Sequence, residues 1–123
     1  MSLTRYTSQH EWLKLDGEIL TLGVTDLACR DFGDIAAVEL PPPGEFVSAG
    51  TNCASLKSAK AVSNIRAPMS GTVVETNAAL LDDPALINRD PEGEGWFLRL
   101  RLIDREAFDD YMNRPEYAAF SRS

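Results

Sequence analysis

The 123-residue sequence contains a single histidine, His10, which leaves little material for a Ser-His-Asp triad or a histidine-rich metal centre. His10 reads instead as a structural residue beside Trp12. Cysteine is equally scarce: Cys29 and Cys53 are separated by 23 residues and match neither a zinc-ligand spacing nor a CxxC pair. Two reduced thiols are the simpler expectation, since a disulfide would require the pair to meet in space. No apolar run reaches the length of a membrane-spanning helix, and the opening MSLTRYTSQHEW lacks the apolar stretch of a signal peptide. The expectation is a cytoplasmic protein with no membrane partner. Positive charge is also in short supply. A net charge of −7 gives no attraction to a phosphate backbone, so nucleic acid is not an expected partner.

With 44% apolar and 25% charged residues, the composition is that of an ordinary globular protein. A chain of this length accommodates one core more readily than two, so residues 1–123 are read as a single domain.

The pattern along the chain is mostly β. HEWLKL alternates as a strand, DGE supplies a turn and ILTLGV returns, forming a hairpin. Thr25 can cap a short helix over TDLACRDF, with Asp26 in its first turn and Gly33 ending it. DIAAVEL is another strand, which must stop at Leu40 because the prolines of PPPG lack amide donors. EFVSAG, NCASLKS, SNIRAP and SGTVVETN then give short strands at close spacing, the signature of a small sandwich or barrel. The similar segments GEFVSAG and SGTVVE flank the lysine-bearing stretch and hint at a pseudo-two-fold arrangement. Asn77 is placed to cap a brief helix over AALLDD, and PALINRDPEGEG reads as a long turn-rich loop. In GWFLRLRL, Trp96, Leu98, Leu100 and Leu102 share one face and Arg99 and Arg101 the other. From Asp104 the spacing of Phe108, Tyr111 and Met112 predicts a helix, followed by a second from Pro115 to Phe120.

Two features of the long loop imitate ligand sites. Its carboxylates, Asp82, Asp83, Asp90, Glu92 and Glu94, lack the order of an EF-hand and read as a solvated acidic loop. Gly93 and Gly95 precede a strand rather than a helix, which removes the context of a nucleotide-binding glycine motif and leaves them a turn.

Between NCASLKS and SNIRAP there is room for a tight hairpin with AKAV at its tip. That places Lys60 at an exposed apex flanked by small residues, where a modifying enzyme could close over its amine. Lys57, three residues earlier, is the other lysine of the stretch and the less favoured candidate for modification.

The motifs YTSQHEW (6–12), LGVTD (22–26), FGDI and VELPPPG (32–44), SAKAVS (58–63), APMSG (67–71) and INRDPEGEGW (87–96) occur in the order found in one family. The chain resembles the H protein of the glycine cleavage system, a relative of the lipoyl domains of 2-oxo acid dehydrogenases. That resemblance implies a barrel-sandwich hybrid of two antiparallel sheets with short peripheral helices and a C-terminal helical segment. It also implies lipoate in amide linkage on Lys60, and a carrier rather than an enzyme, since the dithiolane does the chemistry while the protein holds and delivers it. The implied partners are a pyridoxal-phosphate glycine decarboxylase, a folate-dependent aminomethyltransferase, a dihydrolipoyl dehydrogenase and a lipoate-attaching enzyme. Glu11 corresponds to a carboxylate that can lie near the loaded amine; as a strand residue it could equally face solvent.

The hairpin tip departs from the family pattern. Lys57 stands where a glutamate is usual and Asn64 where an acidic residue is common, while Leu27 and Cys29 replace a histidine or tyrosine and a glutamine. The attaching enzyme would read Lys57, Ser58, Ala59, Ala61, Val62, Ser63 and Asn64 around the target. Two alternatives therefore stand beside glycine cleavage: an H-like lipoate carrier of another pathway, such as sulfur oxidation, and an H-like interaction module without lipoate. Inverting a charge against a basic group buried at an enzyme interface costs about 2–5 kcal/mol. Lys57→Glu is accordingly expected to speed modification of Lys60 by a standard glycine-cleavage lipoylation system, measured by intact mass over time; an unchanged rate would show that the enzyme does not read this charge.

Overall fold

The computed structural model describes residues 3–59 and 61–121. Among the described residues, nine strands form two open, wholly antiparallel sheets. The six-stranded sheet contains β1 (Leu3–Tyr6), β2 (Glu11–Asp16), β3 (Ile19–Val24), β9 (Leu98–Leu102), β8 (Gly71–Thr76) and β5 (Phe46–Val47), in that spatial order. The three-stranded sheet places β6 (Asn52–Ser58) between β4 (Ile35–Glu39) and β7 (Val62–Arg66). Four short helices, α1 (Asp26–Phe32), α2 (Ala79–Asp82), α3 (Leu86–Arg89) and α4 (Arg114–Ser121), lie around them. This is the expected barrel-sandwich hybrid of two antiparallel sheets with peripheral helices.

Period-two alternation explains which faces meet. Leu13 and Leu15 of β2, Leu20 and Leu22 of β3, Val73 of β8 and Leu98 and Leu100 of β9 point inward, and Val38, Leu56 and Ile65 answer from the smaller sheet. All belong to one buried apolar cluster. The first hairpin turns at Gly17, whose φ of 64° is the left-handed conformation a tight hairpin turn needs. Thr25 caps α1 by accepting the Ala28 N–H, and Gly33, at φ 76°, ends it. The similar segments flanking the lysine stretch pair with each other, as β5 and β8.

Several expectations are corrected. Strand β1, absent from the sequence reading, pairs with β2 in register Tyr6↔Trp12. Asn77 does not cap α2; its amide donates to the Glu94 and Trp96 carbonyls at 2.7 and 2.8 Å, tying down the following loop. That loop contains the helical turn α3. Trp96 belongs to the arginine face, because strand pairing begins only at Leu98; the Arg99 guanidinium lies 4.2 Å from the centre of its ring. After Asp104 the helix shrinks to a 3-10 turn over Glu106–Asp110. Tyr111 and Met112 leave it because Met112 exchanges backbone hydrogen bonds with Tyr6, at 2.7 and 3.1 Å, which uses hydrogen-bonding groups the edge strand would otherwise expose. His10 is structural, but its partners are Tyr117 and Phe120 rather than Trp12.

Trp12 instead covers Gly23, its partner across the β2–β3 ladder. A Cβ added at Gly23 would lie 2.6 Å from the indole, which is buried and whose N–H donates to the Pro91 carbonyl at 2.8 Å. The ring can move only by giving up that bond. Gly23→Ala is expected to cost about 1–3 kcal/mol, seen as a lower urea midpoint; an unchanged midpoint would show that the indole has room to shift.

Candidate functional site

The lysine hairpin is the β6–β7 pair. Its register runs from Ser55↔Asn64 through Leu56↔Ser63 to Lys57↔Val62. Beyond the ladder the Ser58 N–H donates to the Ala61 carbonyl at 2.9 Å, and the Ala61 N–H donates to Ser58 Oγ at 3.3 Å. The strands are thus closed on each other at Ser58 and Ala61, with Ala59 exposed. Lys60, next in the chain, lies outside the described residues.

The other tip residues are divided between two sides of the hairpin. Lys57 and the exposed Val62 line one hollow together with Glu39. There the Lys57 ammonium lies 2.9 Å from the Glu39 carboxylate of neighbouring β4. Both groups are largely exposed, so the pair adds little stability. Its effect is to hold the Lys57 charge on that side. Ser63 lines the other side, a cleft of about 510 Å³ that it shares with Gln9, Glu11, Phe32, Asn64 and Arg66. Asn64 borders both.

Glu11 is the unusual member of the cleft. It begins β2 on the face that carries Leu13 and Leu15, so alternation turns it inward; only 6% of its surface is exposed. The solvent-facing alternative is therefore wrong. Burial pushes its carboxyl up to about 7, and the Thr7 hydroxyl, donating at 3.1 Å, offsets only part of that rise. The turn that presents it is built on Thr7. Thr7 Oγ1 accepts the Gln9 and Glu11 N–H groups at 3.2 and 3.3 Å, and its carbonyl accepts the His10 N–H at 3.1 Å. His10 has a φ of 65°, the one positive value at a non-glycine among the described residues.

Thr7, Gln9, Phe32 and Arg66 were not singled out from the sequence. The first two lie inside YTSQHEW, and period-two counting back from Leu13 would have found the inward turn of Glu11. Nothing local marks Phe32 or Arg66, which reach the cleft through the packing of α1 and the pairing of β7. Cys29 and Cys53 are both buried and unbridged, and burial pushes their thiols up to about 11 and about 12. They are poor nucleophiles. The acidic loop is a succession of turns in which Asp90 accepts the Gly93 and Gly95 N–H groups on its carbonyl and the Glu94 N–H on its carboxylate. A larger cavity of about 680 Å³ lies on the outer face of the six-stranded sheet, bordered by Lys14, Thr21 and Arg99, and shares no residue with the hairpin.

The family model described as Glycine cleavage H-protein matches residues 4–123. The chain belongs to the glycine cleavage H-protein family. It is 47% identical over 120 residues to the glycine cleavage system H protein of Acidiphilium cryptum, covering 98% of this chain and 97% of that protein. It is 42% identical over 123 residues to that of Parvibaculum lavamentivorans, covering 100% and 98%. The crystal structure of a glycine cleavage system H protein from Mycobacterium marinum superposes with a TM-score of 0.87 at 36% identity, covering 98% of this chain and 97% of that one. Its role is that of a carrier in glycine cleavage.

A carboxyl that titrates near 7 when folded and near 4.5 when unfolded makes folding less favourable as pH rises between those values. Below that range it is protonated in both states and has no effect; above it the whole cost, about 3 kcal/mol, is present. Glu11→Gln is expected to match the parent near pH 4 and to unfold at a clearly higher temperature at pH 8. Parallel pH dependences of the two proteins would contradict the burial of this carboxyl.

Proposed function

We propose that this H protein carries lipoate in amide linkage on Lys60 and uses it to hold the aminomethyl group of glycine. The observation that carries the reading is the cleft: β7, which leads away from the Lys60 turn, forms one wall, and the buried carboxyl of Glu11 stands in the other. The residues suit an arm with an apolar stem and a polar load, since Phe32 supplies an apolar wall, Gln9, Ser63 and Asn64 supply hydrogen-bonding groups, Arg66 a cation and Glu11 a carboxyl. When attached, the lipoyl dithiolane supplies the chemistry that accepts the aminomethyl group. Every other task belongs to the chain.

Glu11 is reluctant to ionise alone, because burial disfavours its charge. A cationic amine brought into the cleft reverses that balance, since opposite charges attract more strongly where water is excluded. The carboxyl therefore favours the loaded over the unloaded arm. The Thr7-based turn keeps Glu11 aimed, and the short closure at Ser58 and Ala61 holds the two ends of the lysine turn together. The protein itself then catalyses nothing. Its arm serves in turn a pyridoxal-phosphate glycine decarboxylase, a folate-dependent aminomethyltransferase and a dihydrolipoyl dehydrogenase, each meeting it at an effective concentration reaching about millimolar once docked. A lipoate-attaching enzyme, reading residues 57–64, must act first. In this reading residues 1–123 are one carrier domain that works in the cytoplasm. The relatives compared above are all glycine cleavage system H proteins, which favours this pathway over sulfur oxidation or a lipoate-free module.

Lys60→Arg keeps the charge and removes the acylable amine. It is expected to leave the melting temperature within about 2 °C of the parent while abolishing glycine-dependent carrier activity. Peptide mass mapping over residues 53–66 of protein from its own organism should show a lipoyl adduct on Lys60 in the parent only. An unmodified lysine in cells with active lipoyl enzymes would overturn the reading.

A further inference from the structure

Helix α4 buries none of its side chains fully, so its docking depends on a few contacts. Tyr117 makes several of them, and Phe120 adds a tilted contact with the His10 ring at 6.0 Å. The Tyr117 ring stacks on Tyr6 at 4.6 Å and 12°, while Arg114 lies over the same Tyr6 ring at 5.5 Å. The Tyr117 hydroxyl lies 2.7 Å from His10 Nδ1 and 2.9 Å from Thr25 Oγ1. Thr25 Oγ1 also accepts the Ala28 N–H that caps α1. A phenolic hydroxyl both donates and accepts, so it can bond to the Thr25 hydroxyl and to His10 Nδ1 at the same time. The His10 carbonyl meanwhile accepts the Thr25 N–H at 2.9 Å. His10 is thus held through both backbone and ring, at the residue whose backbone adopts the left-handed conformation, directly between the cleft residues Gln9 and Glu11.

We propose that Tyr117 is a positioning residue: through His10 and Thr25, its hydroxyl fixes the Gln9–Glu11 turn as the wall of the cleft that faces β7, and so governs how well a loaded arm is sheltered there. Two facts make the hydroxyl, rather than the helix as such, the agent. A left-handed histidine is unfavourable by itself and persists only when its surroundings determine it. The Tyr117 ring stacks on Tyr6 and meets the His10 ring edge-on at 5.6 Å, and Phe120 lies 6.0 Å from that ring, but the hydroxyl at 2.7 Å from Nδ1 is the directional contact that sets how the His10 ring is turned. The sheltering role rests on the carrier reading given above; the positioning of the turn does not.

Tyr117→Phe keeps the stack on Tyr6 and deletes the hydroxyl. His10→Asn retains a residue that tolerates positive φ but is too short to replace the ring contact. Arg114→Ala weakens the docking of α4 without touching the hydroxyl, and serves as the control. In the chain without lipoate, the first two changes should displace the backbone amide resonances of Gln9 and Glu11, and the third should leave them in place. In the loaded carrier, kept free of its enzymes, the first two should shorten the lifetime of the bound aminomethyl group about 3- to 10-fold, the scale of one lost hydrogen bond. Unshifted resonances in both variants would overturn the proposal, as would equal shifts in Arg114→Ala, which would reduce Tyr117 to a structural anchor. Shifted resonances with an unchanged lifetime would overturn the sheltering role. If Lys60 proved to carry no lipoate, the carrier reading would fall while the resonances still decided the positioning.

Discussion

The architecture depends on one long-range pairing, that of β3 with β9. Leu20 and Leu22 meet Leu100 and Leu98 across this ladder, and all four are fully buried. It joins a hairpin made at the start of the chain to a strand made near its end. Without it β8 and β5 would have no attachment to β1 and β2. The smaller sheet would then lose the apolar floor on which Val38, Leu56 and Ile65 rest. Burial of aliphatic side chains on this scale supplies most of the favourable free energy of a small domain. The site is consequently supported by an apolar core in which Glu11 is the one cleft residue turned inward.

This arrangement accounts for the character of the cleft. Its residues come from the turn before β2, the end of α1 and the edge strand β7, each an extremity of a well-anchored element. The one costly member is Glu11, which occupies a core-facing position by strand alternation and therefore sits where a leucine would be more stable. A binding group is here maintained against the local preference of the fold, a pattern expected where function rather than stability selects the residue. The tip shows a contrasting economy: among the described residues its closure uses Ser58, Ala61 and backbone groups.

Much of this was legible in the sequence, for physical reasons that differ by element. The hairpin of β2 and β3, the capped helix α1 and the strand that ends at PPPG announce themselves through alternation, Thr25, Gly33 and proline, all local signals. The lysine hairpin and its family likeness were equally plain. What was missed depended on distant partners. Strand β1 is too short to show a pattern and exists because β2 offers it a ladder. Asn77 looks like a cap, but carbonyls of a later loop take its amide. Trp96 appeared to continue the leucine stripe, and only the point at which β9 begins to pair shows that it does not. Lys57 drew notice as a reversed charge, while its partner Glu39 is set by the β4–β6 register.

The contact between Tyr117 and His10 spans 107 residues of chain, and this bears on how the protein is made. Synthesis proceeds from the N-terminus, and β6 and β7, being close in sequence, need close only a small loop to pair. The lysine hairpin can therefore take shape once β9 has joined β3, before the C-terminal helix docks. The opposing wall receives its last support only when nearly the whole chain has emerged. A nascent or truncated chain would thus display the modification target before it could shelter a loaded arm, and competence to be modified precedes competence to carry.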